Sequence, residues 1–249
     1  MRTSITGLTA LAIAMLATPA LAQDEAPAEE SSVTISGGAT VVSDYRFRGI
    51  SQTDKRFAVQ GTFTVAHESG FYATVWGSSI DDYVAAGSDQ EIDLIAGWKK
   101  DFSGTTLDLG VLYYYYPGSG GANTDFAEPY VSVSHTFGPV TGKVTANYAF
   151  KQKALTVGAG KEDNLYLAAD LSAGIPDTGL TVSGHFGHSF GPSYLTIGDE
   201  YSDWNVGVAY TWKNLTFGVQ YVDTDGDFIT PSGRNASKAG VVGTIGVAF

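Results

Sequence analysis

Charged side chains occur at alternate positions near the start of this chain, where they could bind ions or form ion pairs. Asp44, Arg46 and Arg48 share one face of an extended segment, because successive side chains of a strand point to opposite sides. Two guanidinium groups on one face can steer anionic groups through their electric field. They can also form internal ion pairs with Asp44, Asp93 or Asp108 that stiffen the surrounding structure. The sequence leaves both roles open.

Histidine is the other side chain here that could bind a metal or act as a base, and there are four of them. His185 and His188 are three residues apart, so on a strand they face opposite sides and cannot chelate one ion together. His67 lacks the second histidine of H-E-x-x-H, and no G-x-S-x-G motif occurs. To act as a catalytic base, His188 would need a serine of the same parity on a neighbouring strand, and we find no convincing one. We therefore expect no catalytic residue, no metal site and no cofactor.

An acidic segment near the C-terminus has part of the pattern of a calcium-binding loop. Asp223, Asp225 and Asp227 alternate with Thr224 and Gly226. The glycine and the distal glutamate of an EF-hand loop are missing in register. We therefore expect an exposed acidic loop at this position.

The elements that position these residues are β-strands. Apolar and polar residues alternate with a period of two from residue 33 onward, and no long helical pattern appears. The twelve predicted strands cover 33–47, 57–68, 71–80, 91–101, 106–116, 127–137, 141–151, 164–174, 180–190, 201–212, 215–223 and 238–249. The connections after even-numbered strands are short, and those after odd-numbered strands are mostly longer. This alternation is typical of a single antiparallel transmembrane barrel with short periplasmic turns and longer extracellular loops.

The two faces of the predicted strands differ in charge. One parity gives an apolar set, such as Ile92, Leu94, Ala96 and Trp98, in which no Asp, Glu, Lys or Arg occurs. A lipid-facing surface requires this, since a charge at the membrane midplane costs roughly 2–4 kcal/mol. A soluble barrel with this parity as its core is disfavoured, because twelve strands enclose more space than these side chains fill. The other parity carries the charges and gives the pore-lining candidates Asp44, Arg46, Arg48, Glu91, Asp93, Lys99, Asp108, Glu128, Lys143, Lys151, Asp170 and Asp203.

Both ends of the chain agree with this location. Residues 1–22 have the short basic start, apolar stretch and small-residue cleavage site of a signal peptide. Residues 23–32 are acidic and predict a disordered periplasmic tail, and 33–249 form the barrel. The last residues alternate in polarity to the end, with Ile245, Val247 and Phe249 on the apolar parity. A barrel that closes on its last strand needs such an ordered terminus.

Aromatic residues group at the strand ends, where a barrel carries its two interfacial girdles. The predicted outer girdle contains Tyr45, Phe47, Tyr113, Tyr115, Tyr148 and Tyr221. The predicted periplasmic girdle contains Phe71, Trp98, Phe137, Trp212 and Phe249.

Two segments resemble the TorF-type porins of proteobacteria. They are 44–52 (D-Y-R-F-R-G-I-S-Q) and 70–78 (G-F-Y-A-T-V-W-G-S). The similarity is densest over 43–81, and the strand layout resembles that family over nearly all of the mature chain. The resemblance implies an outer-membrane barrel with a channel role and supplies no substrate. The final phenylalanine, with Val247 and Ile245, also looks like the signal that the barrel-assembly machinery reads.

Together these features predict a narrow passive channel in the outer membrane of a Gram-negative bacterium. Twelve strands ~4.8 Å apart and tilted ~40° give a backbone diameter of roughly 24 Å and a lumen of about 10 Å, less whatever a folded-in loop occupies. The expected partners are small polar solutes, outer-membrane lipid, lipopolysaccharide and the assembly machinery. A basic footprint for nucleic acid is absent, since the formal charge is −12. The oligomeric state is not predicted.

Two other functions stay open at this point. One is a structural or adhesive barrel with a blocked lumen that acts through its extracellular loops. The other is a barrel lipase, which the missing serine beside His188 disfavours. Because acids outnumber bases in the loops and on the inward parity, we expect a weak preference for cations.

Overall fold

The computed structural model describes residues 32–196 and 198–249. The predicted signal peptide (1–22) lies outside the described residues, as does the predicted tail (23–32) except for Ser32. Both therefore stay predictions. Within the described part of the chain, no helix is long and apolar enough to cross a membrane.

The described residues form sixteen strands and two short 3-10 helices. The strands are β1 (Val33–Val42), β2 (Arg46–Phe47), β3 (Ile50–Ser51), β4 (Ala58–His67), β5 (Phe71–Ser79), β6 (Gln90–Phe102), β7 (Thr105–Tyr115), β8 (Phe126–Phe137), β9 (Val140–Ala149), β10 (Thr156–Val157), β11 (Gly160–Lys161), β12 (Asn164–Gly174), β13 (Leu180–Phe190), β14 (Tyr201–Trp212), β15 (Leu215–Thr224) and β16 (Gly240–Ala248). The 3-10 helices are Lys153–Leu155 and Tyr194–Thr196.

Twelve of these strands close into one antiparallel barrel, which confirms the predicted fold class. Each strand pairs with its neighbours in sequence, and β1 pairs with both β4 and β16. Val41 lies opposite Val59 on one side and Ile245 on the other. The terminal residue completes the seam, because the backbones of Gly37 and Phe249 exchange two hydrogen bonds of 2.9 Å.

The two faces separate as the alternation predicts. Leu171 and Val206 point outward and are 63% and 61% exposed. On the opposite parity, Asp93, Glu128 and Asp203 are buried inside the barrel. The outer surface is therefore largely apolar and suited to lipid, and most charges of the strands face the lumen, with Lys100 and Asp223 as outward exceptions near strand ends.

The connections confirm the alternation of short turns and long loops. The turns at the periplasmic end span 68–70, 103–104, 138–139, 175–179 and 213–214. The loops at the extracellular end span 43–57, 80–89, 116–125, 150–163, 191–200 and 225–239. Ser103 and Gly104 both have positive φ values (56° and 88°), as a two-residue turn between twisted strands requires.

The first predicted strand is too long. It was expected to cover 33–47, but β1 ends at Val42. The Asp44 carboxylate accepts hydrogen bonds from the hydroxyls of Ser51 (2.6 Å) and Thr53 (3.3 Å). These local bonds compete with strand pairing and turn the chain inward. Residues 43–57, which we call the plug loop, then form the β2–β3 hairpin inside the barrel.

Candidate functional site

The plug loop crosses the outer half of the lumen and contacts its walls on several sides. Near its start, the Tyr45 ring packs edge-on against Trp76 of β5, with centroids 5.5 Å apart. The Tyr45 hydroxyl donates a 3.0 Å hydrogen bond to Glu91 of β6. Tyr45 is 2% exposed. Its place in the outer girdle was therefore predicted wrongly, because the turn after β1 directs it into the lumen.

Arg48 connects the plug loop to the opposite wall of the barrel. Its guanidinium donates to the Glu128 carboxylate of β8 (2.7 Å) and to the Asn164 amide oxygen of β12 (2.9 Å). It lies 4.1 Å from the centre of the Tyr166 ring and 4.8 Å from that of Phe47. The side chains of Arg48 and Glu128 are 6% and 0% exposed. This is a buried charge pair with cation–π contacts, an arrangement that favours arginine over lysine.

Phe47, the residue before Arg48, also lies inside the lumen. Its ring packs edge-on against Tyr114, with centroids 6.0 Å apart. It belongs to the interior and not to the outer girdle, so this second girdle prediction is also wrong. The cause is the same inward turn of the chain after Val42.

The tip of the plug loop presses against a third part of the wall. A Cβ built on Gly49 would lie 2.8 Å from Cβ of Asp203 in β14 and 3.1 Å from Cβ of Thr224 in β15. Gly49 also has a φ of 81°, a value that favours glycine. The tip therefore approaches the wall more closely than a larger residue permits.

Neighbouring extracellular loops hold the plug loop from outside. Arg46 donates to the backbone oxygens of Ala236 (2.8 Å) and Lys238 (3.2 Å), and it pairs with Asp44 at 2.6 Å. Arg234 pairs with Asp54 at 3.2 Å.

Loop 80–89 adds two more contacts from the same side. Arg56 of the plug loop pairs with Asp81, and the Tyr83 hydroxyl donates to the Ser51 carbonyl. Burial raises the pKa of Tyr83 above its usual value, so the phenol stays a donor.

A second group of charges lies on the lumen wall from β9 to β14. His185 bridges two carboxylates, with Nδ1 2.7 Å from Asp170 and Nε2 3.2 Å from Asp203. Lys143 pairs with Asp170 at 3.2 Å, and the Tyr166 hydroxyl donates to Asp203 at 3.0 Å. These contacts make a continuous charged network across four strands.

Asp108 of β7 forms a smaller polar group beside this network. Its carboxylate accepts hydrogen bonds from the hydroxyls of Tyr72 (2.8 Å) and Tyr130 (3.4 Å), which also contact each other.

The remaining wall, on β1, β4, β5, β15 and β16, has no buried charge among the described residues, and its buried inward positions carry hydroxyls beside an apolar cluster that includes Val42, Trp76 and Val242. The buried threonines of these strands are Thr40, Thr64, Thr74, Thr216, Thr224 and Thr244. The lumen therefore has a charged side and a hydroxyl-rich side, a combination suited to polar solutes.

The structure places the other predicted site residues as follows. Glu91, Asp93, Asp108, Glu128 and Asp203 are buried inside the barrel, and Lys99, Lys143 and Asp170 are half-buried there. Asp44, Arg46 and Arg48 are also inside, but the plug loop carries them and not a wall strand.

Lys151 was predicted to line the pore and does not. It lies beyond the end of β9, is 59% exposed and pairs with Glu162 of the same extracellular loop at 3.3 Å. The strand ends before it because residues 150–163 fold into a loop with a 3-10 helix.

The other predicted girdle residues lie at the strand ends on the outer face. Trp98 is half-buried and donates from Nε1 to the Ser69 carbonyl at 3.1 Å. The remaining members are exposed, namely Phe71, Tyr113, Tyr115, Phe137, Tyr148, Trp212, Tyr221 and Phe249.

The outer wall holds a serine that the sequence analysis missed. Ser202 of β14 lies directly opposite His188 of β13, and the two side chains are joined by a 3.0 Å hydrogen bond. The statement that no serine accompanies His188 is therefore wrong. Glu200 is 4.0 Å from the imidazole and its side chain is 62% exposed. Such an exposed carboxylate does not hold the imidazole in one orientation, and an opposed Ser–His pair is a common cross-strand contact.

Several luminal residues were not singled out from the sequence. They are Tyr72, Tyr114, Tyr130, Asn164 and Tyr166. All have the parity of the inward charges, so parity gave a usable signal.

In the acidic segment, Asp225 accepts from the Ser202 backbone (2.6 Å) and Asp227 from Asn235 (2.7 Å). In residues 32–196 and 198–249, no group of three or more His, Cys, Asp or Glu is placed to hold a metal ion.

Comparisons with known proteins agree with this architecture. A family model described as "Bacterial protein of unknown function (Gcw_chp)" matches residues 26–249. A search of curated proteins gives no match.

Among solved structures, the NanC porin is similar with a TM-score of 0.58 at 13% identity, over 87% of this chain and 99% of NanC. The KdgM porin gives 0.57 at 12% identity, over 86% of this chain and 98% of KdgM. KdgM in complex with disordered oligogalacturonate gives 0.55 at 11% identity, over 86% and 97%. At these identities the likeness is one of fold.

Proposed function

Since the chain belongs to the Gcw_chp family of bacterial proteins and forms a closed barrel similar to porins, we propose that it is an outer-membrane channel for small polar solutes. One observation carries this proposal: an apolar outer face surrounds a lumen lined by carboxylates, lysines and hydroxyls. A polar lumen inside a lipid-facing barrel provides a path for solutes that lipid excludes. The resemblance of segments 44–52 and 70–78 to TorF-type porins supports the same role.

The plug loop makes the described conformation a closed one at its outer half. It contacts β5 and β6 through Tyr45, β8 and β12 through Arg48, and β14 and β15 through Gly49. These strands lie on different sides of the barrel. We therefore propose that solute passage requires the plug loop to move.

The charge of the walls supports a preference for cations. Without the plug loop, the inward wall residues include the acids Glu91, Asp93, Asp108, Glu128, Asp170 and Asp203, against the bases Lys99 and Lys143 together with His185. An excess of carboxylates attracts cations and repels anions. Oligogalacturonate, the anionic oligosaccharide in the KdgM complex, is therefore a poor guide to the solute here.

A barrel with a permanently blocked lumen is the second candidate. The observation that favours it is the plug loop, whose contacts reach opposite walls and two neighbouring loops. Such a protein would act through its extracellular loops. The two candidates differ in whether removal of the plug loop leaves a conducting path.

The register of the first two barrel strands offers a clean test. Val42 and Ala58 are paired, so a two-residue Asn-Gly turn can replace residues 43–57 and leave the barrel closed. We expect this short-loop variant to accelerate swelling of vesicles in small sugars and amines, and amines to enter faster than organic acids of equal size. A short-loop variant that folds and leaves vesicles impermeable would favour the blocked barrel.

We also propose that the last strand directs assembly. Phe249 is 73% exposed, and its ring lies against Gly37, where a Cβ would be 2.8 Å from the ring. The terminal residue is therefore accessible on the outer face at the seam between β1 and β16. We propose further that the acidic extracellular segments contact lipopolysaccharide through divalent ions.

A further inference from the structure

We infer that the lumen contains a binding site for the guanidinium or ammonium group of a cationic solute, and that Arg48 is its built-in occupant. The inference rests on the proposed channel function and gives it a ligand class. The site consists of Glu128, Asn164 and Tyr166. It becomes available to a solute when the plug loop leaves the wall.

The three wall residues supply what a planar cation needs. Glu128 offers a carboxylate 2.7 Å from one guanidinium nitrogen, and Asn164 offers an amide oxygen 2.9 Å from the other. The Tyr166 ring lies 4.1 Å from the guanidinium carbon. A carboxylate, a carbonyl oxygen and an aromatic face together recognise guanidinium and substituted ammonium ions.

Wall contacts hold these residues in place independently of Arg48. Glu128 accepts from the Tyr114 hydroxyl (3.0 Å) and from Asn147 Nδ2 (3.3 Å). The Asn164 amide nitrogen donates to the Phe190 carbonyl at 2.8 Å, which directs the amide oxygen into the lumen.

The hydroxyl of Tyr166 is fixed at the other end of its ring, where it donates to Asp203 at 3.0 Å. Because every member of the site has a partner on the wall, the site persists after Arg48 leaves.

Arg48 itself is held in a backbone conformation that suits glycine better. Its φ is 47°, in the left-handed region that non-glycine residues seldom adopt. Such strain is tolerated where surrounding contacts determine the conformation. A substitution to glycine therefore removes the guanidinium without straining the hairpin.

Further carboxyl groups lie near the site and add hydrogen-bond acceptors to it. Glu91 and Asp93 face the lumen on β6, and both are buried. Oδ1 of Asp93 has no hydrogen-bond partner among the described residues. A solute with a second amine would find an acceptor there, whereas an anionic solute would be repelled.

The test removes the Arg48 guanidinium by mutation and supplies free methylguanidinium in its place. The R48G variant, refolded into planar bilayers, is expected to conduct several-fold more than the wild type. Methylguanidinium at millimolar concentration should then reduce that current, and sodium at the same concentration should not. In R48G/E128Q, the concentration that blocks half the current should rise about tenfold or more, because the charged acceptor is lost. K151G removes an exposed cation outside the lumen, and it should show neither the gain in current nor the block.

Calorimetry separates failure of the site from failure of the channel. Refolding is checked by heat-modifiable migration, and R48N replaces R48G if the glycine variant does not fold, because asparagine also removes the cation and tolerates the positive φ. Methylguanidinium binding to the folded variant in detergent, lost with E128Q, supports the site even if no variant conducts, an outcome that would overturn the channel function. Current through R48G with no block and no heat of binding would overturn the site and leave the channel intact.

Discussion

Removal of the Glu128 carboxylate tests the docking of the plug loop most severely. The Glu128→Ala variant leaves the Arg48 guanidinium buried, with its side chain 6% exposed, and takes away its charged partner. Tyr114 and Asn147 lose their acceptor at the same time. The change therefore leaves one charge and two polar groups without a partner inside the barrel.

The expected loss of stability is large. Removing one partner of a buried ion pair costs roughly 3–5 kcal/mol, because the remaining charge stays desolvated. The two additional lost hydrogen bonds place the expected value at the upper end, about 5 kcal/mol. The loss is smaller if the plug loop leaves the lumen and lets Arg48 reach water, and protease cleavage of the loop then reports the release.

The matched control is Glu162→Ala. Glu162 pairs with Lys151 at 3.3 Å in an extracellular loop, where the two side chains are 33% and 59% exposed. An exposed pair of this kind contributes about 0–1 kcal/mol. The two variants make the same chemical change, so the difference between them isolates burial.

The assay is reversible unfolding in urea of protein refolded into lipid vesicles, followed by tryptophan fluorescence. E128A should be much less stable than E162A, or its plug loop should become sensitive to protease. The R48G/E128A double variant should recover part of the loss, since no orphan charge remains. If E128A matches E162A in stability and its loop stays protected, the buried pair between Arg48 and Glu128 does not hold the loop.

Three further predictions concern the wall and the terminus. Val206→Lys places a charge on the lipid face and should destabilise the barrel by roughly 2–4 kcal/mol in the same assay, whereas Asn205→Lys, on the inward face, should cost much less. Equal losses would contradict the assignment of faces. Deletion of Phe249 should lower the outer-membrane level of the protein while export to the periplasm continues, as fractionated blots would reveal; normal membrane levels would argue against an assembly role. Purified protein should release no fatty acid from phospholipid vesicles, and Ser202→Ala should change nothing, because Glu200 is too exposed to orient the His188 imidazole; serine-dependent release would reverse this view.

Much of the barrel was predictable because the alternation of polarity and the lengths of the loops are both local features of the sequence. Alternation with a period of two identifies the strands and their faces, and loop length identifies the two ends. Leu171 and Val206 point outward and Asp93 points inward, as their parity predicts. An even strand count allows the first and last strands to pair antiparallel, as they do in the closed barrel.

The plug loop was not predictable in the same way. Asp44, Tyr45, Arg46, Phe47 and Arg48 alternate as a strand would, so the local pattern extends β1 to residue 47. Local hydrogen bonds of Asp44 turn the chain, but it is held inside the barrel by the contacts of Arg48 with Glu128 and Asn164, which are 80 and 116 residues away. Contacts between residues so far apart in sequence do not change the local alternation of apolar and polar residues.

Two smaller errors have similar physical causes. Ser202 and His188 have the same parity on adjacent strands, but pairing them requires the register of β13 and β14, which the sequence does not state. Lys151 has inward parity, but the strand that would carry it ends at Ala149. In each case the pattern gave the face correctly and missed the position along the strand.

Single-channel recording of the short-loop variant shows whether this barrel is a channel that the plug loop closes. The wild type, with the plug loop docked, should give brief or small current steps in planar bilayers. The variant with Asn-Gly in place of residues 43–57 should give long-lived, larger steps with a reversal potential that shows cation preference. A folded short-loop variant that stays silent at every voltage would contradict the proposal that this barrel is a channel.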